Sequence, residues 1–356
     1  MTRPPLTVRP DLLEVQPYIS PQQPAKHRMN TNESPYAPPP ELVAEVAREV
    51  QDIAFNRYPD RDANRLYDGM AEHLGWPRTG LWIANGSNEV FMHLFLGFGG
   101  PGRSTLLFDP TYSLHSLIPR IASTEVHELP RSEDFTIDLD AAVTAIHERS
   151  PEIVIVCSPN NPTGGIEPLG VVEALLHEAP GLVVVDEAYI EFARPDESVR
   201  ALLEDHPNLV LVKTFSKAWR LAGVRIGYML AQPDLIAELA RVRLPYHLSA
   251  ITQVVGEAAL HHADATLELV RSIADERDRI ALELQAMGIL TYPSRANFVL
   301  FEVDDPARTW RDLLDRGILV RSYPGHPRLE RCLRVTAGLP EEADVFLNAM
   351  RELSDA

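Results

Sequence analysis

The sequence predicts an α/β protein. A large domain with a mostly parallel sheet covered by helices is followed by a smaller α+β C-terminal domain. Three observations carry this. Between about 81 and 230, short apolar runs alternate with helical stretches, the pattern of parallel strands buried on both faces. After about 249 the alternation stops, and two helical stretches come in succession. The chain has 356 residues, 45% apolar and 24% charged, enough for two domains with ordinary globular cores.

Taken in order, residues 1–40 are proline-rich and weakly periodic. Leu12, Leu13, Val15, Tyr18 and Ile19 can still pack, so this stretch is expected to be an extended arm. The large domain is expected over 41–248. It opens with Leu42, Val46, Val50 and Ile53 at helical spacing. Leu66, Met70 and Leu74 repeat the spacing before Gly75, a plausible helix stop. Strands are expected at 105–108, 125–129, 152–157, 182–185, 209–212 and 226–230, with helices at 88–98, 139–147, 170–179 and 233–242. The small domain is expected over 249–356: helices at 250–261 and 266–287, a strand at 298–303, a helix at 308–316, strands at 318–321 and 332–336, and a final helix at 341–353.

The formal charge of −18 disfavours nucleic acid and anionic membranes as partners. No apolar run approaches 18 residues and the first residues lack an apolar h-region, so the cytoplasm is the expected compartment. Two cysteines, Cys157 and Cys332, make no disulfide framework. Cys157 sits in an apolar run and is expected in the core. Asn32-Glu33-Ser34 has the form of a glycosylation sequon, which a chain that is not secreted would leave unused. The string from Gly97 to Gly102 fits G-x-G-x-x-G, but it follows a helix, precedes a strand and contains Pro101, so it is a turn. His261-His262 lacks companions at zinc spacing, and no metal is expected. Of the 33 basic side chains only Lys26, Lys213 and Lys217 are lysines.

Ligands of open parallel sheets bind at strand C-terminal ends, and four loops there draw interest. Ser158-Pro159-Asn160-Asn161-Pro162-Thr163-Gly164-Gly165 is richer in special residues than a turn needs. Asp186 ends an apolar strand, as a solvated cap or as a functional carboxylate. Lys217 follows Thr214-Phe215-Ser216 at another strand end, with Arg225 eight residues on. A lysine is usually a solvated surface group, but a buried or cation-flanked one becomes a competent nucleophile. Asn85-Gly86-Ser87-Asn88-Glu89 opens a helix, as an ordinary N-cap or as an anion site. Together the loops ask for one ligand with a phosphate, an aldehyde for Lys217 and a basic ring nitrogen for Asp186. Pyridoxal 5'-phosphate has all three.

The strings S-P-N-N-P-T-G, D-E-A-Y and T-F-S-K-A…A-G-V-R-I-G-Y, in this order, resemble the fold-type I aminotransferases. The chain is most similar to the histidinol-phosphate aminotransferases through Thr31–Tyr36, Arg57–Asp60, Asn85–Glu89, Pro245–Ser249 and Cys332–Thr336. The likeness runs from about residue 10 to the C-terminus. It implies that Lys217 bonds the cofactor aldehyde and later moves the proton between Cα and C4′. It implies that Asp186 pairs with the ring nitrogen, that Asn161 and Tyr189 meet the ring hydroxyl, and that Tyr112 stacks on the ring. Gly86, Ser87, Asn88, Thr214, Ser216 and Arg225 are implied to hold the cofactor and its phosphate, and Tyr58 to reach the phosphate of the neighbouring subunit in a homodimer. Arg334 is implied to hold the substrate anion, with Arg321, Asn32 and Tyr18 nearby. The implied reaction is transamination between histidinol phosphate and 2-oxoglutarate in histidine synthesis. Rivals are an aromatic amino acid aminotransferase, a threonine-phosphate-type decarboxylase and a cofactor-binding regulatory module. The last usually carries a DNA-binding domain, for which this acidic chain has no basic segment.

Overall fold

The long alternation in the sequence becomes one seven-stranded sheet. A computed structural model of the chain describes residues 7–13, 15 and 23–354. Tyr18 lies outside the described residues. The chain enters through β1 (His27–Arg28), α1 (Pro40–Glu49) and α2 (Asn64–Leu74). It continues through β2 (Leu81–Ala84), α3 (Ser87–Phe98), β3 (Ser104–Asp109), α4 (Leu114–Ile121), β4 (Glu125–Pro130) and α5 (Leu139–Arg149). Next come β5 (Ile153–Cys157), α6 (Leu169–Glu178), β6 (Leu182–Asp186), β7 (Leu209–Thr214) and β8 (Gly227–Leu230). Helices α7 (Pro233–Leu239), α8 (Ala250–His261), α9 (Ala263–Leu267) and α10 (Val270–Ala286) follow. The chain closes with β9 (Phe298–Glu302), α11 (Pro306–Asp315), β10 (Ile318–Leu319), β11 (Arg321–Ser322), β12 (Cys332–Thr336) and α12 (Pro340–Ser354).

The sheet order is β2-β8-β7-β6-β5-β3-β4. Strands β3 to β7 are parallel, and β8 runs antiparallel to both its neighbours. No crossover helix lies between β7 and β8, so the chain folds straight back. The strands are apolar at consecutive positions because both faces are covered. Val154, Val156, Val183, Val185 and Leu211 point to one core, with Met70, Ile146, Leu175 and Val255 from α2, α5, α6 and α8. Ile153, Ile155, Val184, Val210 and Val212 point to the other, with Phe91, Leu94 and Leu239 from α3 and α7. Successive residues thus alternate between two cores, as strand geometry requires.

The C-terminal part builds an antiparallel sheet, β11-β12-β9, against α10 and α12 through Ile280, Leu284, Phe346 and Met350. The later part of the expected N-terminal arm joins it: β1 pairs with β10, and Met29 is buried in this core, because paired backbone and a buried apolar side chain fix this stretch. Helix α8 buries Val255, Ala258 and Ala259 in the large core, although it begins the segment expected to form the small domain.

Three local differences from the sequence reading have physical reasons. Helix α4 was not expected; Pro119 near its end reads as a breaker, yet the eight-residue helix holds it in its last turn. The helix expected over 266–287 is broken into α9 and α10 around Glu268 and Leu269. The strand expected over 318–321 divides, because β10 pairs with the N-terminal segment and β11 with β12.

Candidate active site

The strand ends and the N-terminus of α3 enclose a cavity of about 480 Å³. Asp186, the last residue of β6, is 3% exposed, so it is no solvated cap. Its Oδ1 accepts the Ala188 N–H at 3.1 Å, and its Oδ2 lies 2.9 Å from Nε2 of buried His115. The other ring nitrogen of His115 is 3.1 Å from the Thr111 hydroxyl, which fixes the imidazole against the carboxylate.

Lys217 follows β7, and of the three lysines it alone lines the cavity. Its Nζ donates to the Thr31 carbonyl at 3.0 Å. Burial, helped by the charges of Arg334 and Arg225, brings its pKa down to about 8. Lys213 behaves oppositely. Burial would lower its pKa, but Glu191 at 2.9 Å outweighs that and the pKa is raised, so it stays charged. Lys26 is exposed.

Beside Lys217 an anion cradle forms. Gly86 is the N-cap of α3 and offers no side chain to cap it, so the first N–H groups of this 12-residue helix point at the cavity uncapped. Gly86 has φ +84°, and a Cβ there would sit 2.4 Å from Nη2 of Arg225. A Cβ on Gly227 would sit 2.1 Å from the Ser87 nitrogen. Gly86 is required by its positive φ, and Gly227 by the close approach of backbone atoms that cannot swing away. The Thr214 hydroxyl donates to Oγ of Ser216 at 3.0 Å, and Ser87, Asn88, Thr214, Ser216 and Arg225 all line the cavity. Tyr112 lines it too, its hydroxyl 3.5 Å from Oδ1 of Asn88.

The opposite wall comes from β11, β12 and the segment that follows β1. Arg334 on β12 is 6% exposed. It donates to the Asn30 carbonyl at 2.8 Å and to Oδ1 of Asn161, and its buried Nε has no partner. Asn161 and Asn32 both donate to the Tyr189 hydroxyl, at 3.4 and 3.0 Å. Burial raises the pKa of that hydroxyl, so it stays protonated. Arg321 is the direct cross-strand partner of Arg334 and also lines the cavity. Tyr58 is not brought in: it is 81% exposed, and its ring stacks on Tyr246 at 4.6 Å.

The family profile described as "Aminotransferase class I and II" matches residues 25–350. The chain belongs to the class I and II aminotransferases. A histidinol-phosphate aminotransferase of Thermobifida fusca is 46% identical, over 97% of this chain and 95% of that one. A histidinol-phosphate aminotransferase of Corynebacterium efficiens is 44% identical, over 98% and 95%. The crystal structure of histidinol-phosphate aminotransferase from Sinorhizobium meliloti in complex with pyridoxal-5'-phosphate superposes with a TM-score of 0.88 at 27% identity, covering 98% and 97%.

The residues of this aminotransferase fit that cofactor. An uncapped helix N-terminus with Arg225 and two hydroxyls suits a phosphate, a buried carboxylate suits a ring nitrogen, and an amine partly neutral near pH 7 suits an aldehyde. The sequence reading missed His115, which lies on the unexpected helix α4, and also Asn30, Thr31 and Thr336. Thr336 had a signal: on a strand it shares a face with Arg334. Its hydroxyl donates to Oδ1 of Asn32 at 3.0 Å.

Proposed function

We propose that the enzyme transfers an amino group between L-histidinol phosphate and 2-oxoglutarate, giving imidazole acetol phosphate and glutamate, a step of histidine biosynthesis. The observation that carries this reading is the pairing of Arg321 opposite Arg334. Like charges directly opposite on a sheet are destabilising unless an anion lies between them. A phosphate near −2 charge favours two cations, whereas one arginine already clamps a carboxylate bidentately.

When bound, pyridoxal phosphate supplies an electron sink for the carbanion at the substrate Cα. Lys217 takes the proton from that carbon with Nζ, for which its lowered pKa suits it. Asp186 would pair with the ring nitrogen, and His115 holds its carboxylate in place. Asn161 and Tyr189 form one hydrogen-bonded wall against which the ring hydroxyl would lie. Gly86, Ser87, Asn88, Thr214, Ser216 and Arg225 would hold the phosphate end, and Tyr112 would meet the ring. Arg334, Arg321 and Asn32 hold the substrate anion.

The enzyme is proposed to act as a homodimer. Phe55, Tyr58, Leu244 and Ile251 are exposed apolar side chains of 69, 81, 73 and 46%, and Tyr58 would cross to the neighbour's phosphate. Its compartment is proposed to be the cytoplasm, in keeping with two unpaired buried cysteines, Cys157 and Cys332. Among the described residues no helix is long and apolar enough to cross a membrane.

The deciding measurement is kcat/KM for a panel of amino donors with 2-oxoglutarate. Histidinol phosphate should be preferred. Arg334→Ala should impair both half-reactions. Arg321→Ala should cost histidinol phosphate about 1.5–3 kcal/mol more than glutamate, the size of a lost charged hydrogen bond. Equal losses, or a wild-type preference for phenylalanine, would transfer the assignment to aromatic amino acids.

A further inference from the structure

At the far end of the large sheet from the cavity, a second group of ligating side chains converges. Glu173 and His177 are four residues apart on α6 and share one helix face. His206 meets them from the segment that leads into β7. One carboxylate oxygen of Glu173 and one ring nitrogen from each histidine lie within 4.8 Å of one another. None of the three lines the cofactor cavity.

The group is held from the histidine side. His206 is 8% exposed. Its N–H donates to the Leu202 carbonyl, and its own carbonyl accepts the Leu209 N–H, both at 3.1 Å. Two residues on, Asn208 donates through Nδ2 to the carbonyls of Leu176 and Gly181, at 3.0 and 3.3 Å. The segment carrying His206 is therefore tied to the end of the helix carrying His177. The two imidazoles stand edge to face, with centroids 5.1 Å apart. Glu173 is 4.0 Å from Nε2 of His206 and half exposed, so it is free to move.

We propose that Glu173, His177 and His206 form a binding site for a divalent transition-metal ion, with Zn²⁺ as the best fit. Two imidazoles and one carboxylate suit Zn²⁺ and its neighbours; Mg²⁺ and Ca²⁺ prefer all-oxygen sets. A tetrahedral Zn²⁺ with bonds near 2.0–2.2 Å holds its ligand atoms about 3.3–3.6 Å apart. The remaining gap of about 1 Å closes by rotating the exposed side chains of Glu173 and His177 while His206 stays fixed. Three protein ligands leave a position for water, so the ion is exchangeable. It would cross-link α6 to the segment that feeds β7, a strand spanning roughly 17 Å to Thr214 at the cleft.

The test uses untagged, cofactor-loaded enzyme, stripped with chelator and titrated with zinc chloride by calorimetry, with metal content after dialysis. The expected result is one Zn²⁺ per chain and a Tm that rises with zinc, since an ion bound only by the folded state stabilises it. His177→Ala and Glu173→Gln change exposed side chains, so folding should survive, which cofactor absorbance and circular dichroism check. Each should weaken binding by at least about 100-fold, because loss of a ligand exceeds the 10–100-fold loss of a ligand's supporting partner. His261 and His262 each hold a separate oxygen of Glu45, and His261→Ala/His262→Ala should leave the binding intact. Wild-type binding weaker than about 1 mM, or binding unchanged in His177→Ala and Glu173→Gln, would overturn the proposal.

Discussion

Lys217 shows how strongly surroundings decide a side chain's chemistry. With a pKa of about 8, about a tenth of its amine is neutral at pH 7, against about 0.03% for an ordinary lysine. The folded apoprotein therefore binds fewer protons than the unfolded chain between about pH 8 and the ordinary lysine value near 10.5. Its stability should rise with pH across that window, and the cost of burying the charge is fully present below pH 8. Lys217→Met should remove the cost. The apo variant is expected to be more stable than wild type at pH 7, with the gap closing toward pH 10.5, measured by urea unfolding. Borohydride reduction of the holoenzyme should label Lys217; label on Lys213 or Lys26 would sink its assignment. Asp186 makes a second residue-scale test. Asp186→Asn keeps the size of the side chain but not the charge against the ring nitrogen. Cofactor binding should persist while kcat falls roughly 100- to 1000-fold, the usual effect of one lost electrostatic stabiliser. Near-normal turnover would leave the carboxylate a structural role beside His115.

Elements decide whether those residues meet. The cradle depends on β8 lying directly against the first turn of α3, and Gly227 stands opposite both Ala84 and Thr214 in the sheet register. The atoms its missing Cβ would strike are backbone atoms of Gly86 and Ser87, which cannot swing away. Gly227→Ala should therefore displace the α3 N-terminus from Thr214 and weaken cofactor binding by at least about tenfold, or 1.4 kcal/mol. Cofactor retained on gel filtration at wild-type occupancy would show that the turn can adjust. Strands β5, β6 and β7 were legible because consecutive valines, leucines and isoleucines have little other use. Helix α4 was not legible. Leu114, Leu117, Ile118 and Ile121 do stand at helical spacing, but the stretch is only eight residues long and Pro119 carries a strong local signal that the surrounding packing overrides. With α4 went His115, the partner of Asp186.

At the scale of the whole molecule, the site is shared between parts distant in sequence. Thr31 accepts from Lys217 across 186 residues, and Asn161 accepts from Arg334 across 173. The proposed dimer extends this sharing to a second chain. Mixing Tyr58→Phe with Lys217→Ala subunits should produce heterodimers with one intact site and activity above either parent. No recovery would mean that each chain holds its cofactor alone.

The sequence by itself determined the parallel sheet and the four loops at its strand ends that are proposed to hold the cofactor, because these follow from local pattern. Apolar runs mark buried strands, and a lysine, a carboxylate and a glycine-opened helix announce their chemistry wherever they stand. The tertiary structure decided the partners. Asp186 became a buried carboxylate beside His115, Lys217 an amine poised near neutral pH, and Arg321 the cross-strand neighbour of Arg334. Those properties depend on burial and on charges brought close by folding, and neither is a property of any local stretch of chain. The cluster of Glu173, His177 and His206 has the same origin. Two of its members show helical spacing, but the third arrives only because β7 starts beside the end of α6.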